Sequence, residues 1–270
     1  MENKIPLSVV VLAKNESARI RDCLRSVDWA DEVLVVDDHS TDDTARTAEA
    51  MGARVVRRAM DIEGRHRNWA HAQAKHEWIF SVDADERVTP ELAQEIIALF
   101  RSTPAHELYA IPRRNYLGTF WIRHGGWYPS PQLKLFKKSV FRWEETTVHP
   151  RAFSDRPAGQ LTQDLIHYSY RDRGDFLRKL DRQTTLEAEK WAADGRRMSL
   201  GKALWRAIDR VARSYVLKRG YRDGAVGWFV ARMAGRYQWV SYWKYVRMTS
   251  DVRAAAAARL KVPHSSAAAR

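Results

Sequence analysis

The sequence predicts an α/β fold with a mostly parallel, Rossmann-like sheet, followed by a C-terminal α-helical extension. Three observations predict it. Over the first hundred residues, short β-branched runs alternate with stretches of helical periodicity, as strands covered by helices do. Acidic motifs fall at the ends of three of the predicted strands. Beyond Asp172 the texture turns helical, basic and rich in tryptophan.

Taken in order, Leu7 to Leu12 reads as a buried strand, and Ile20, Leu24 and Val27 recur at helical spacing. Glu32 to Val36 gives a second strand ending at Asp37 and Asp38. Thr41 to Met51 reads as a helix, Arg54 to Arg57 as a third strand, Arg65 to His76 as another helix, and Trp78 to Val82 as the strand that runs into Asp83. Thr89 is placed to cap a helix with Pro90 at its first position, where the missing N–H has no partner to lose, and Leu92, Ile96 and Leu99 share one face. From Leu108 to His167 strands such as Leu108 to Pro112 and Leu133 to Phe136 lie among Gly, Pro and aromatic clusters, which suits a loop-rich substrate region. Helices are expected over Asp172 to Ala193, Leu200 to Lys218 and Asp223 to Arg247, with Gly195, Gly220 and Gly224 at the breaks. The alanine-rich tail from Ala254 is expected to fray. The organisation expected is a catalytic domain over 1–170, a helical basic and aromatic region over 171–250, and a flexible tail over 251–270.

With 270 residues and 45% hydrophobic content the chain can bury a real core, which excludes a disordered or fibrous protein. A formal net charge of +13 and a pI near 10.0 favour an anionic partner: nucleic acid, a phosphorylated substrate or an acidic membrane. The single cysteine, Cys23, excludes an intramolecular disulfide and a thiolate-rich metal site, and reads as structural in a reducing compartment. The apolar run near the N-terminus is too short for a signal segment, and no stretch approaches the roughly 20 apolar residues of a membrane span, so a cytoplasmic protein is expected.

Three motifs carry the chemistry: LAKNES (Leu12 to Ser17), VVDDHSTDDT (Val35 to Thr44) and FSVDADERVTP (Phe80 to Pro90). In an open α/β sheet the carboxyl ends of the strands are where ligands bind. Asp37 can accept a hydrogen bond from a base N–H, with Ser40 and Thr41 near ribose; the same residues also suit an ordinary helix-cap turn. Asp83 and Asp85, separated by the small Ala84, can aim at one point, and hard oxygen donors of this kind suit magnesium or manganese holding a diphosphate. No G-x-G-x-x-G follows the first strand and no G-x-x-x-x-G-K occurs, which argues against dinucleotide enzymes and the usual kinases.

In this order and spacing the motifs resemble the inverting family 2 glycosyltransferases of GT-A fold. The stretches HGGWYPSPQLKLFKK, IHYSYRDRGDFLRKLDRQTTLEA and KRGYRDGAVG, with a Val-His near residue 149, resemble the lipopolysaccharide-core glucosyltransferase group of that family, over roughly residues 5 to 248. The resemblance implies transfer of a sugar, glucose from UDP-glucose, to a lipid-linked glycan acceptor such as an inner-core heptose, with inversion to a β-linkage. It places Asp37 at the uracil, Ala13, Asn15, Glu16 and Ala84 near the nucleotide, and Asp85 on the metal, with Asp83 toward ribose or the metal's water. Arg67 and Asn68 match a segment lining the nucleotide pocket, although His66 stands where Gln is usual. His149 matches a position that completes the metal or diphosphate site, although Pro150 replaces the family's following Glu. An Asp commonly follows W-Y-P in these enzymes, and Ser130 stands here. Glu144 and Glu145 are then the nearest carboxylates for the general base that inversion requires, or else simply surface charge.

Between Ser199 and Ser250 eleven Lys or Arg face two Asp, interleaved with Trp205, Trp228, Trp239 and Trp243. Lys202, Arg206, Arg210 and Arg213 follow a helical spacing opposite Leu204, Ile208, Val211 and Tyr215. Such a helix can lie on an anionic bilayer, placing the protein on the inner face of the cytoplasmic membrane, or it can pack against the catalytic domain or a second subunit. Two other readings stay open: a same-fold transferase with another lipid-linked or polysaccharide acceptor, and a basic nucleic-acid-binding protein. The latter would bind DNA or RNA with steep salt dependence and ignore Asp37 and Asp85; no nucleic-acid motif supports it, so no nucleic-acid partner is expected.

Overall fold

A computed structural model describes residues 4–146 and 151–260. The chain divides into two compact units, Met1–Asp172 and Arg173–Arg270. The first unit begins with β1 (Ile5–Ala13), α1 (Ile20–Arg25), β2 (Ala30–Asp37), α2 (Thr44–Ala50), β3 (Arg54–Arg57), α3 (Glu63–Ala72), β4 (Trp78–Asp83), β5 (Glu86–Val88) and α4 (Pro90–Arg101). It continues through β6 (Leu108–Ile111), β7 (Arg113–Leu117), β8 (Phe120–Trp121), β9 (Gln132–Lys137), β10 (Arg142–Trp143), β11 (Ala152–Phe153), β12 (Gly159–Gln160) and β13 (Leu165–Tyr170).

Seven strands form one sheet in the order β12-β6-β9-β4-β1-β2-β3. β1 runs parallel to both β2 and β4, and β2 parallel to β3, while β9 is antiparallel to β4 and β6. A smaller sheet has the order β5-β13-β7-β8, and β10 and β11 pair separately. The α/β class with a mostly parallel sheet and C-terminal helices is therefore the one expected.

The central strands are mainly apolar because both sheet faces are covered, and Ser8 and Ser81 within them are buried and hydrogen-bonded, Ser8 to Glu32 and Ser81 to His71. Alternate side chains leave in opposite directions. Val9, Val11, Val35, Phe80 and Val82 join Ile20 and Leu24 of α1 and Leu92 and Ile96 of α4 in one cluster. Val10, Leu34, Val36 and Ile79 join Ala70 of α3, Phe136 and Phe141 in the other. Fully buried side chains such as Phe80 contribute roughly 1.5–3 kcal/mol each relative to exposure. Cys23 sits in this core, and burial pushes its thiol up to about 12, so it is inert packing.

Several boundaries differ from the sequence expectation. α2 starts at Thr44 rather than Thr41 because side chains capture the preceding backbone: Ser40 N donates to Asp37, Thr41 N to Asn15 and Thr44 N to Asp42. α3 spans Glu63–Ala72 instead of running to His76, and β5 (Glu86–Val88) occupies a stretch for which no element is predicted from the sequence. Thr89 caps α4 as expected, accepting from Leu92 N at 3.2 Å.

The second unit contains α5 (Arg173–Ala193), α6 (Leu200–Ala212) and α7 (Gly224–Leu260). α6 does not continue to Lys218 as an α-helix; Arg213–Leu217 is a π-helical turn, followed by a short 3-10 turn over Gly220–Asp223. α7 extends to Leu260, and the rest of the tail expected to be flexible, 261–270, lies outside the described residues. The backbones of α6 and α7 approach so closely at Gly235 that a Cβ there would lie 2.6 Å from Val211 Cγ2. The expected stripes of α6 are consequently redistributed. Val211 faces α7 and Arg206 stacks over Trp191, whereas Leu204, Trp205 and Ile208 are exposed.

Candidate active site

The register of the large sheet assembles the site. Ala13 pairs with Asp37 and Leu12 with Asp83, so the C-terminal tips of β2 and β4 flank the tip of β1. Two strand spacings put the two aspartates on the order of 10 Å apart. The polypeptide then tightens around these tips: Asp38 N donates to Ala13 O and Ala84 N to Leu12 O. Ala13, the last residue of β1, and Ala84, just past the end of β4, are both buried at these tips.

The first two motifs are knitted to each other. Asn15 adopts a left-handed conformation (φ 53°) that an asparagine tolerates; its N–H donates to Ser40 Oγ and its Oδ1 accepts from Thr41 N. Glu16 N donates to Thr44 Oγ1 at 2.8 Å, and the Glu16 carboxylate pairs with Arg19. Asp38 binds Lys14 and accepts from Met60 N; those contacts outweigh burial and hold its carboxyl below the usual range. Asp37 is 1% exposed. Its Oδ2 accepts from Ser40 N at 3.1 Å, while its buried Oδ1 has no hydrogen-bond partner. An unsatisfied buried acceptor costs about 1–3 kcal/mol until a donor reaches it.

Asp83 and Asp85 share one turn but have different surroundings. Asp83 Oδ1 accepts from Arg67 at 3.2 Å and Oδ2 from Lys134 at 2.9 Å. Desolvation works against its charge, yet the Arg67 and Lys134 cations prevail and hold the carboxyl far below the ordinary range. Lys134, on β9, is buried and also donates to Glu86 Oε2 at 2.7 Å; Glu86 is fully buried and in turn accepts from Asp83 N. Arg113 lies 3.6 Å from Glu86. Sequence reasoning missed this buried network, since a lysine in a short strand and a glutamate in an acidic loop both read as solvated.

Asp85 instead faces the small sheet. Its carbonyl accepts from Tyr168 N, its Oδ2 lies 3.6 Å from His167 Nε2, and Arg19 lies 3.9 Å away. Asn115 donates its amide to Trp127 O, which leaves Asn115 Oδ1 to accept from His167 Nδ1 at 2.8 Å. Ser169 Oγ lies 2.9 Å from the same Nδ1, and with the proton on Nδ1 it is Nε2 that would offer a lone pair on the Asp85 side. An imidazole and a carboxylate so paired, with the second ring nitrogen held by an amide oxygen, suit a divalent cation that takes its remaining ligands from water and phosphate. No group of three or more potential metal ligands occurs among the described residues. His167 lies in the IHYSY stretch but had not been singled out; His149, which had, lies outside the described residues.

The other candidates serve local structure as well. Arg67 reaches Asp83 from α3, bridges to Glu63 and lies 5.4 Å from the Trp143 ring. Asn68 spends its amide on Trp143, donating to its carbonyl and accepting from its N–H, so this side chain fastens β10 to α3. Gly64 permits that approach: a Cβ there would lie 1.7 Å from Glu144 O. Glu144 pairs with Arg151, and Glu145 with Arg65 at 3.3 Å.

A stretch of 97 residues is 41% identical to an uncharacterized glycosyltransferase of Rickettsia bellii, covering 36% of this chain and 33% of that protein; the match thus spans about a third of such relatives. The lipopolysaccharide core biosynthesis glycosyltransferase LpsC of Rhizobium meliloti is 24% identical over 243 residues, covering 86% of this chain and 88% of LpsC. Among solved structures, glucosyl-3-phosphoglycerate synthase from Mycobacterium tuberculosis with Mn2+, UDP-glucose and phosphoglyceric acid matches at 25% identity and a TM-score of 0.34, over 43% of this chain and 44% of that one. TarS of S. aureus matches at 17% identity and a TM-score of 0.47, over 83% of this chain and 47% of that one. The family model described as glycosyl transferase family 2 matches residues 8–156, the span that contains all three acidic motifs and more than half of the chain. The chain belongs to glycosyl transferase family 2.

Proposed function

We propose that this protein is an inverting, metal-dependent transferase that moves a sugar, glucose from UDP-glucose, to a lipid-linked glycan of the lipopolysaccharide-core type. The observation that carries the donor half is the buried, unpartnered Oδ1 of Asp37 at the tip of β2, beside Ala13. A nucleobase imide N–H is a donor of the right kind for it. Asp85 and His167 would hold Mg2+ or Mn2+, which neutralises the diphosphate as it departs. Arg67 and Lys134 fix Asp83 on the same turn, where its charge supports that of the site. The acceptor class rests on the similarity to LpsC.

The test is a thermal-shift series with UDP, TDP, GDP and ADP in the presence of Mn2+, on the wild type and on Asp37→Ala. UDP is expected to stabilise the wild type most, and the variant to lose the base preference. Equal stabilisation by all four nucleotides, unaffected by Asp37→Ala, would sink the donor assignment.

Contact with an anionic membrane is the second part of the reading. Leu204, Trp205 and Ile208 of α6 are 49%, 67% and 56% exposed, and Lys202 and Arg210 beside them are exposed too. Apolar side chains turned to solvent and bordered by cations are what an interfacial helix presents. None of the described helices is long and apolar enough to cross a membrane. Co-sedimentation with phosphatidylglycerol vesicles, lost in Trp205→Glu/Ile208→Glu, is the expected result; unchanged sedimentation of the variant removes α6 from that role.

A further inference from the structure

We propose that the first unit holds a subsite for the anionic group of a charged saccharide acceptor, beside the Asp85 carboxylate; this rests on the transferase reading above. A cavity of about 520 Å³ is lined by Arg19, Asp22, Arg87, Tyr168, Tyr170 and Arg171. Arg19 is paired with Glu16 at 2.8 Å and Asp22 lies 3.6 Å from Arg25, so the cationic character of the cavity is carried by Arg87, with Arg171 also on its lining.

Arg87 is the informative member. Its Nη1 donates to the carbonyls of Ala84 and Glu86 at 3.0 and 2.6 Å, its Nη2 to Arg19 O at 2.7 Å, and its guanidinium lies 5.7 Å from the Tyr168 ring centre. Carbonyls orient a guanidinium without cancelling its charge, so the cavity keeps a positive wall held in a fixed direction. Three of its five N–H donors are spent on these carbonyls, and the remaining Nε and Nη2 hydrogens are those that can meet a phosphate or a carboxylate.

The location points to the acceptor. Arg19, on the same wall, lies 3.9 Å from Asp85 and donates to Tyr168 O, so the cavity begins one side chain away from the carboxylate assigned to the cation. Tyr168 is 36% exposed and packs 5.6 Å from the Tyr116 ring, which offers an aromatic surface for a sugar ring next to the cations. The occupant that satisfies both features is a saccharide bearing a phosphate or a carboxylate.

Calorimetric binding of mannose 6-phosphate, glucuronate and mannose, with UDP and Mn2+ present in excess, tests the proposal. At least one anionic sugar is expected to bind about tenfold more tightly than mannose, a difference of about 1.4 kcal/mol. Whichever of the two binds better identifies phosphate or carboxylate as the preferred group. Arg87→Gln and, as a second variant independent of the Arg87 carbonyl contacts, Arg171→Gln should each remove most of that preference and leave UDP affinity unchanged. Equal binding of mannose, a preference that survives both substitutions, or displacement of the anionic sugars by UDP overturns the subsite. Absence of UDP binding to the wild type is a separate outcome, and strikes the transferase reading on which the subsite rests.

Discussion

Asp83 and Asp85 stand on the two sides of a junction between sheets, and the contrast between them explains how one short motif can serve two purposes. β4 of the large sheet ends at Asp83 and β5 of the small sheet begins at Glu86. On the large-sheet side Asp83 is gripped by Arg67 and Lys134, and both of its oxygens are engaged. On the small-sheet side Asp85 faces an imidazole whose other nitrogen is held by Asn115. A carboxylate bound to two fixed cations braces a turn. One opposed to an imidazole is the carboxylate that the proposed function assigns to the cation.

The most direct way to break this comparison is substitution on the Asp85 side. Asp85→Ala is expected to abolish sugar transfer while leaving the melting temperature close to that of the wild type, and Asn115→Ala to weaken Mn2+ affinity by on the order of 10–100-fold through loss of the imidazole's orientation. Full transfer activity in Asp85→Ala would remove the metal role from this turn.

The Asp83 side should respond in stability. Lys134→Met leaves Glu86 buried without its closest cation and removes one of two from Asp83, so a loss of about 3–5 kcal/mol is expected in denaturant unfolding. A change below about 1 kcal/mol would mean that the network is not what fixes the turn.

A smaller effect sharpens the picture from beneath the sheet. His71 is buried near Phe136; desolvation first, then the Arg67 and Lys134 charges, lowers it to about 3. Its folded value lies below the unfolded one near 6.5, so the unfolded chain binds the proton first. Stability from this residue is complete above about pH 6.5 and declines by about 1.4 kcal/mol per pH unit as pH falls toward 3. The slope should diminish in His71→Gln when urea midpoints at pH 7, 6 and 5 are compared; an identical slope would assign the acid sensitivity to other groups.

Much of the fold was legible because its signals are local. β1, β2 and β4 are mainly apolar runs, the Thr89 and Pro90 pair announces α4, and Asp37 and Asp83 end the strands that carry them. The α2 boundary was misjudged because Asn15, from a different loop, captures the Thr41 N–H, and no periodicity within residues 41–51 records that. His167 was overlooked for the same kind of reason. It meets Asp85 through β13 pairing with β5, a contact between strands remote in sequence.

The sequence by itself determined the α/β class, the parallel core and the positions of Asp37, Asp83 and Asp85, since strand-forming runs and the residues that end them are properties of neighbouring positions. Tertiary structure alone decided what each carboxylate touches: Lys134 reaches Asp83 and Glu86 because β9 packs antiparallel against β4, and His167 reaches Asp85 because β13 lies along β5. The physical reason is that charge, burial and lone-pair direction depend on distances across the fold, which chain spacing does not encode.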